Sequence, residues 1–174
     1  MDSIILAYPA TLTRDEAGRY VVRFRDLPEA LTDGKDEQEA LAEATDCLSE
    51  ALMSRIADRE DIPVPSRARR GDYSVAPDPT IALKTLLFAI VKASKISTSE
   101  LARRLGVDHK EARRMLDPSH PTKFPRLQEA LKSLGHEVRI AWHDASRQER
   151  LLRSPKEKRR GTLRPKQFIG VSRG

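Results

Sequence analysis

Four residues within six positions, His109, Lys110, Arg113 and Arg114, sit inside the stretch TSELARRLGVDHKEARRML, residues 98–116. These side chains donate hydrogen bonds and carry or acquire positive charge. An Arg guanidinium can bond two acceptors on a guanine edge at once, and a Lys ammonium meets phosphate as a point charge. Their chemistry is polyanion recognition. Ser99, near the start of that stretch, and Lys123, beyond its end, complete the set expected to contact DNA. A second set is acidic. Asp26, Glu29, Asp33 and Asp36 lie in a loop-like stretch, and Glu43, Asp46 and Glu50 follow at helical spacing. Such a surface attracts a basic partner. A two-metal nuclease instead needs carboxylates converging from strands. Here the apolar strand faces carry Tyr, Leu, Val and Phe, so catalysis is set aside.

The remaining reactive side chains point to no chemistry. The lone Cys47 excludes an internal disulfide framework and Cys-rich zinc sites. His120 could bond DNA but reads as a solvated surface residue. His136 and His143 have no acidic partners at metal-ligand spacing. Trp142 reads as core or interface. No metal or cofactor is expected.

The elements that position these residues follow from periodicity. Ile4, Leu6, Tyr8, Ala10 and Leu12 alternate on one strand face, and Tyr20, Val22 and Phe24 repeat the pattern. The polar residues 15–18 make the pair a hairpin. A short third strand is expected over 30–32. Asp36 and Glu39 form a D-x-x-E capping box for a helix. Its apolar stripe is Ala40, Leu41, Ala44, Leu48, Ala51, Leu52 and Ile56, and the proline-rich IPVPS, residues 62–66, ends it. DYSVA, residues 72–76, can add a strand. Beyond APDPT, residues 76–80, the chain turns helical. An apolar helix is expected over 81–93. Capping boxes at Ser97/Glu100 and Asp108/Glu111 open two more, and a helix with Pro125 as its first residue ends at Gly135. Ala102, Gly106 and Ala112 suit the close approach, turn and buried positions of a helix–turn–helix, with Leu101, Leu105, Val107 and Met115 filling its inner faces. Residues 137–143 read as a short strand.

Charge divides the chain in the same places. Residues 1–66 hold 7 Lys/Arg and 15 Asp/Glu, a net of −8. Residues 67–144 hold 15 and 9, a net of +6, and residues 145–174 hold 10 and 2, a net of +8. The expected organisation is a domain over 1–75, a linker over 76–80, a DNA-binding domain over 81–144 and a basic, disordered tail over 145–174. The first domain is small for folding alone and should self-associate or bind a partner. No apolar run approaches a membrane span or a signal h-region, so a soluble cytoplasmic protein with no membrane partner is expected.

The order of the pieces YPA, GRYVVRFRDLPEALTDGKDEQEALAEATDCLSEAL and DIPVPS resembles the HicB family of antitoxins. The following SELARRLGVDHKEARRMLDPSHPTKFPRLQEALKSLG resembles the DNA-binding domain carried by one branch of that family. The likeness spans about residues 5–140. Family members commonly have Gly after LP, where this chain has Glu29. The resemblance implies an α+β protein. Its N-terminal domain would be a partial RNase H-like sheet and helix, followed by an all-α helix–turn–helix domain of the Xre/Cro type with a short C-terminal strand. It implies a HicA-like toxin partner, a small basic mRNA-cleaving protein whose active site the N-terminal domain covers. Operator DNA and further copies of the chain, at least as a dimer, are the other implied partners. Asp26, Glu29, Asp33, Asp36, Glu43, Asp46 and Glu50 are the expected toxin contacts. The alternative is a stand-alone helix–turn–helix regulator with an N-terminal ligand- or protein-sensing domain.

Overall fold

The computed structural model describes residues 6–138. The chain is α+β. Among the described residues a four-stranded antiparallel sheet in the order β3-β2-β1-β4 carries one long helix, and four further helices follow.

Strands β1 (Tyr8–Arg14) and β2 (Tyr20–Phe24) pair in register from Ala10 opposite Phe24 to Arg14 opposite Tyr20. The intervening turn closes through Gly18 N–H to the Asp15 carbonyl (3.1 Å), and the Asp15 carboxylate also accepts from the Arg19 N–H (2.8 Å). Alternation buries Tyr8, Ala10, Val22 and Phe24 on one face, as the period of two requires. Strand β3 is Leu31–Gly34 rather than 30–32, because Ala30 closes a turn onto the Leu27 carbonyl at 2.9 Å. Glu29 is the third residue of that turn. Among the described non-glycine residues only Arg59 and Lys95 have positive φ, so the turn does not demand glycine at Glu29. Gly34 is demanded for a different reason. A Cβ there would lie 2.7 Å from Ala40 Cα, so only glycine lets the sheet meet the start of the next helix.

That helix, α1 (Glu37–Ala57), is capped by Asp36, whose carboxylate accepts from the Glu39 N–H at 2.9 Å. Glu39 reaches back to the Lys35 N–H at 2.7 Å, one residue earlier than a reciprocal capping box would place it. Ala40, Leu41, Ala44, Leu48 and Leu52 are buried, and Ala51 half-buried, in the core shared with the sheet, and Ile56 continues the buried stripe. Burying a leucine such as Leu48 or Leu52 contributes roughly 1.5–3 kcal/mol. The helix stops before the proline-rich stretch. Arg59 turns left-handed (φ 57°), and its N–H and that of Glu60 return to the carbonyls of Ile56 and Arg55. The expected strand over 72–76 is β4 (Tyr73–Val75), paired to β1 with Tyr8 opposite Val75.

Helix α2 (Pro79–Ala93) begins two residues before the expected Ile81, because Asp78 caps it by accepting from the N–H groups of Thr80 (2.8 Å) and Ile81 (3.3 Å). Ile81 packs against the sheet core, whereas Leu83, Leu87 and Val91 join a second core with α3 (Thr98–Leu105), α4 (His109–Leu116) and α5 (Phe124–Ser133). Pro125 is the second residue of α5, not its first. Gly135 (φ 84°) follows its C-cap, with the His136 N–H bonded to the Leu131 carbonyl and its own to Lys132. The strand expected over 137–143 lies outside the described residues beyond Val138, which packs on the second core. The tail over 145–174 lies outside them entirely.

Candidate functional site

Helices α3 and α4 are joined at Gly106, whose φ of 63° lets the chain reverse in three residues. Ala102 and Ala112 are buried where the two helices approach, with Leu101 and Met115 beside them and Leu105 and Val107 half-buried. Ser97 and Asp108 cap the two N-termini, accepting from the Glu100 N–H (3.1 Å) and the Glu111 N–H (2.7 Å). The capping-box glutamates do not return the bond. Glu100 instead holds Arg103 with both oxygens (2.9 and 2.8 Å) and Arg104 with one (2.7 Å). The two guanidinium groups, Arg103 first, pull its carboxyl down to about 2. Glu111 is bonded by Arg126 of α5, which also reaches Glu129 at 2.9 Å.

These pairs sort the cations. Arg103, Arg104 and Arg126 are neutralised within the chain. Among the described residues Lys110, Arg113, Arg114 and Lys123 make no ion pair, and all four are exposed, as are His109 and Ser99. Arg114, Lys123 and His120 line one shallow cleft between α4 and the start of α5. Four unpaired cations thus stand on the outer face of α4 and the loop behind it. An exposed helix face of this kind matches groove width and phosphate charge alike.

The acidic set divides differently. Asp26 accepts from the Ser66 N–H at 2.9 Å, Glu29 bonds Arg55, Asp33 bonds Arg19, and Asp36 caps α1. Arg55 holds the Glu29 carboxyl below its ordinary range. Glu43, Asp46 and Glu50 have no partner among the described residues and form one exposed row along α1. Cys47 stands beside that row, half-buried, and burial pushes its thiol up, away from a reactive thiolate.

The buried sheet face carries Tyr8, Ala10, Val22, Phe24, Tyr73 and Val75. Asp72 is the buried carboxylate nearby. Burial opposes its charge, but the Arg69 N–H (2.7 Å) and the Arg25 guanidinium (2.9 Å) outweigh that and hold it below its ordinary value. Among the described residues no three His, Cys, Asp or Glu side chains are placed to share a metal ion, and no helix is long and apolar enough to cross a membrane.

Residues 7–86 match a family model described as the HicB-like antitoxin of bacterial toxin–antitoxin systems. Similar curated proteins include Antitoxin HicB of Escherichia coli (strain K12), 38% identical over 135 residues that cover 78% of this chain and 98% of the relative. Antitoxin HicB 2 of Photorhabdus laumondii is 38% identical over 78% of this chain and 95% of its own length. Antitoxin HicB of Pseudomonas fluorescens is 30% identical over 80% and 95% respectively.

Proposed function

The chain belongs to the HicB-like antitoxins of bacterial toxin–antitoxin systems, and from that premise we propose that it neutralises a HicA-like mRNA-cleaving toxin by direct binding and represses its own operon by binding operator DNA. The observation that carries this reading is a row of unpaired acids on α1 and a set of unpaired cations on and behind α4. Glu43, Asp46 and Glu50 stand free on α1, and Lys110, Arg113, Arg114 and Lys123 stand free on and behind α4. A toxin that grips RNA must present positive charge. An acidic helix face competes with RNA for that surface and speeds the encounter. The α4 face offers the complementary charge to DNA. Neither role requires bond-making chemistry, so the protein acts by binding.

The proposed organisation is a toxin-binding unit over 1–75 and a DNA-binding unit over 81–144, with residues 76–80 between them. The α3–turn–α4 pair serves as a helix–turn–helix with α4 in the major groove. One such pair reads few base pairs, so two copies would act together on half-sites about one helical turn apart (~34–36 Å). The outer edges of β3 and β4 have no pairing strand among the described residues and offer backbone groups for self-association.

Co-expression with the product of the adjacent gene tests the reading. The two proteins should co-purify, and the complex should protect an inverted repeat in the shared promoter. Failure to retain the neighbouring protein, or protection of no promoter sequence, refutes the corresponding half.

A further inference from the structure

Lys84 sits on α2 with 3% of its surface exposed. A buried ammonium is costly unless its protons find acceptors. Its Nζ donates to the backbone carbonyls of Asp117 (2.5 Å) and His120, with the Pro118 carbonyl at 3.5 Å. No carboxylate oxygen of the described residues forms an ion pair with it. The Asp117 side chain turns away to accept from the Ser119 N–H at 2.9 Å. The ammonium therefore ties α2 to the backbone of the segment that follows α4.

That segment is where α4 lacks the stop its neighbours have. Helices α1, α2, α3 and α5 each end on a left-handed residue, namely Arg59, Lys95, Gly106 and Gly135. Helix α4 ends at Asp117 in an extended conformation (φ −81°, ψ 118°) with one backbone bond back to Arg114. Its final carbonyls carry the negative end of the helix dipole and need donors. Lys84 places a positive charge beside that end and donates to the carbonyl of the C-cap residue Asp117. Asp108 fixes the other end of the same eight-residue helix.

We propose that Lys84 is a positioning residue for α4: by closing on the carbonyls of residues 117–120 it fixes where Arg113 and Arg114 stand, and so sets discrimination between operator and other DNA. The inference rests on α4 being the DNA-contacting helix. Non-specific attraction depends on how many cations face the phosphates, whereas base readout depends on where each one is held. Lys84 is itself buried and contacts neither. Its loss should therefore reduce selectivity far more than bulk affinity.

The test uses the full chain, unmodified and as Lys84→Met and Lys84→Gln. Affinity is measured for its own promoter fragment and for an unrelated duplex of equal length, and amide hydrogen exchange is followed along the chain. For Lys84→Met the ratio of the two affinities should fall about tenfold, the loss expected for one misplaced bidentate base contact. Affinity for the unrelated duplex should stay within about twofold, because the surface cations that meet phosphate are untouched. Exchange should quicken over residues 112–120 and not in α1 or the sheet. An unchanged ratio with unchanged exchange overturns the proposal. So does equal loss on both duplexes with exchange raised throughout, which would make Lys84 a fold determinant only. Should the methionine variant fail to fold, Lys84→Gln, which keeps N–H donors without the charge, carries the same comparison, and failure of both to fold also overturns it. If the unmodified chain does not discriminate, the DNA reading falls, and local exchange over 112–120 still decides whether Lys84 holds α4.

Discussion

Ser49 Oγ, in the middle of α1, accepts a hydrogen bond of 2.9 Å from the backbone N–H of Asp78, the residue that caps α2. The same hydroxyl donates to the Thr45 carbonyl at 2.7 Å, which fixes its orientation. One buried serine thus joins the helix bearing the acidic row to the helix that begins the second core. A salt bridge between Lys92 Nζ and Asp61 (2.6 Å) repeats the tie at the other end of α2. Ser49→Ala leaves the Asp78 N–H without its partner. It should cost about 1 kcal/mol, read as a lower urea midpoint with unchanged slope.

Arg113→Ala and Arg114→Ala should each weaken operator binding, by ~1–3 kcal/mol where the lost contact is bidentate to a base. Neither makes an ion pair among the described residues, so fold stability should stay within about 0.5 kcal/mol. Gel shifts at two salt concentrations separate the roles, since losing a phosphate contact reduces the salt slope by about one. Unchanged affinity in the double variant would remove α4 from the interface.

Lys95 closes α2 in the left-handed region (φ 53°) and is exposed. Lys95→Gly should raise stability by up to about 1 kcal/mol, because glycine holds that conformation without the Cβ clash. Thermal unfolding of the variant measures it, and a fall in Tm would show that Lys95 contributes more than its backbone conformation costs.

Tyr8 is fully buried and donates to the Pro63 carbonyl at 2.8 Å. Burial first, then the Asp26 charge, push its phenol up to about 12, with Arg55 opposing. The folded value lies above the ordinary 10, so this stabilisation is complete below pH 10 and is lost as pH rises towards 12. Tyr8→Phe should cost about 1 kcal/mol at pH 8. Its urea stability should also fall less steeply between pH 10 and 12 than that of the unmodified protein, and equal slopes would contradict the assignment.

What the sequence made legible is what local rules determine. Alternation at Tyr8, Ala10, Val22 and Phe24, the stripe on α1, the caps at Asp36, Ser97 and Asp108, and the stops at Gly106 and Gly135 all depend on near neighbours. Less was legible where distant parts decide. The end of α1 escaped because Arg59 carries no sign that it will turn left-handed. Nothing local in the sequence shows that Gly34 will lie against Ala40. Seven acidic residues formed one candidate set in sequence. The structure separates them, because Asp26, Glu29 and Asp33 meet Ser66, Arg55 and Arg19, between 14 and 40 positions away. Lys84 left no signal at all, since its acceptors are backbone carbonyls, which every sequence possesses.

Cleavage of RNA by the adjacent-gene toxin, titrated with this chain and with its Glu43→Gln/Asp46→Asn/Glu50→Gln variant, tests the proposed antitoxin role most directly. Those three side chains have no partners among the described residues, so the variant should fold with unchanged stability. The unmodified chain should abolish cleavage near equimolar ratio. The variant should need about tenfold more protein at low salt, with the difference shrinking as salt screens the interaction. Cleavage untouched by the unmodified chain would contradict neutralisation by direct binding, and identical titrations of chain and variant would remove the α1 row from the interface.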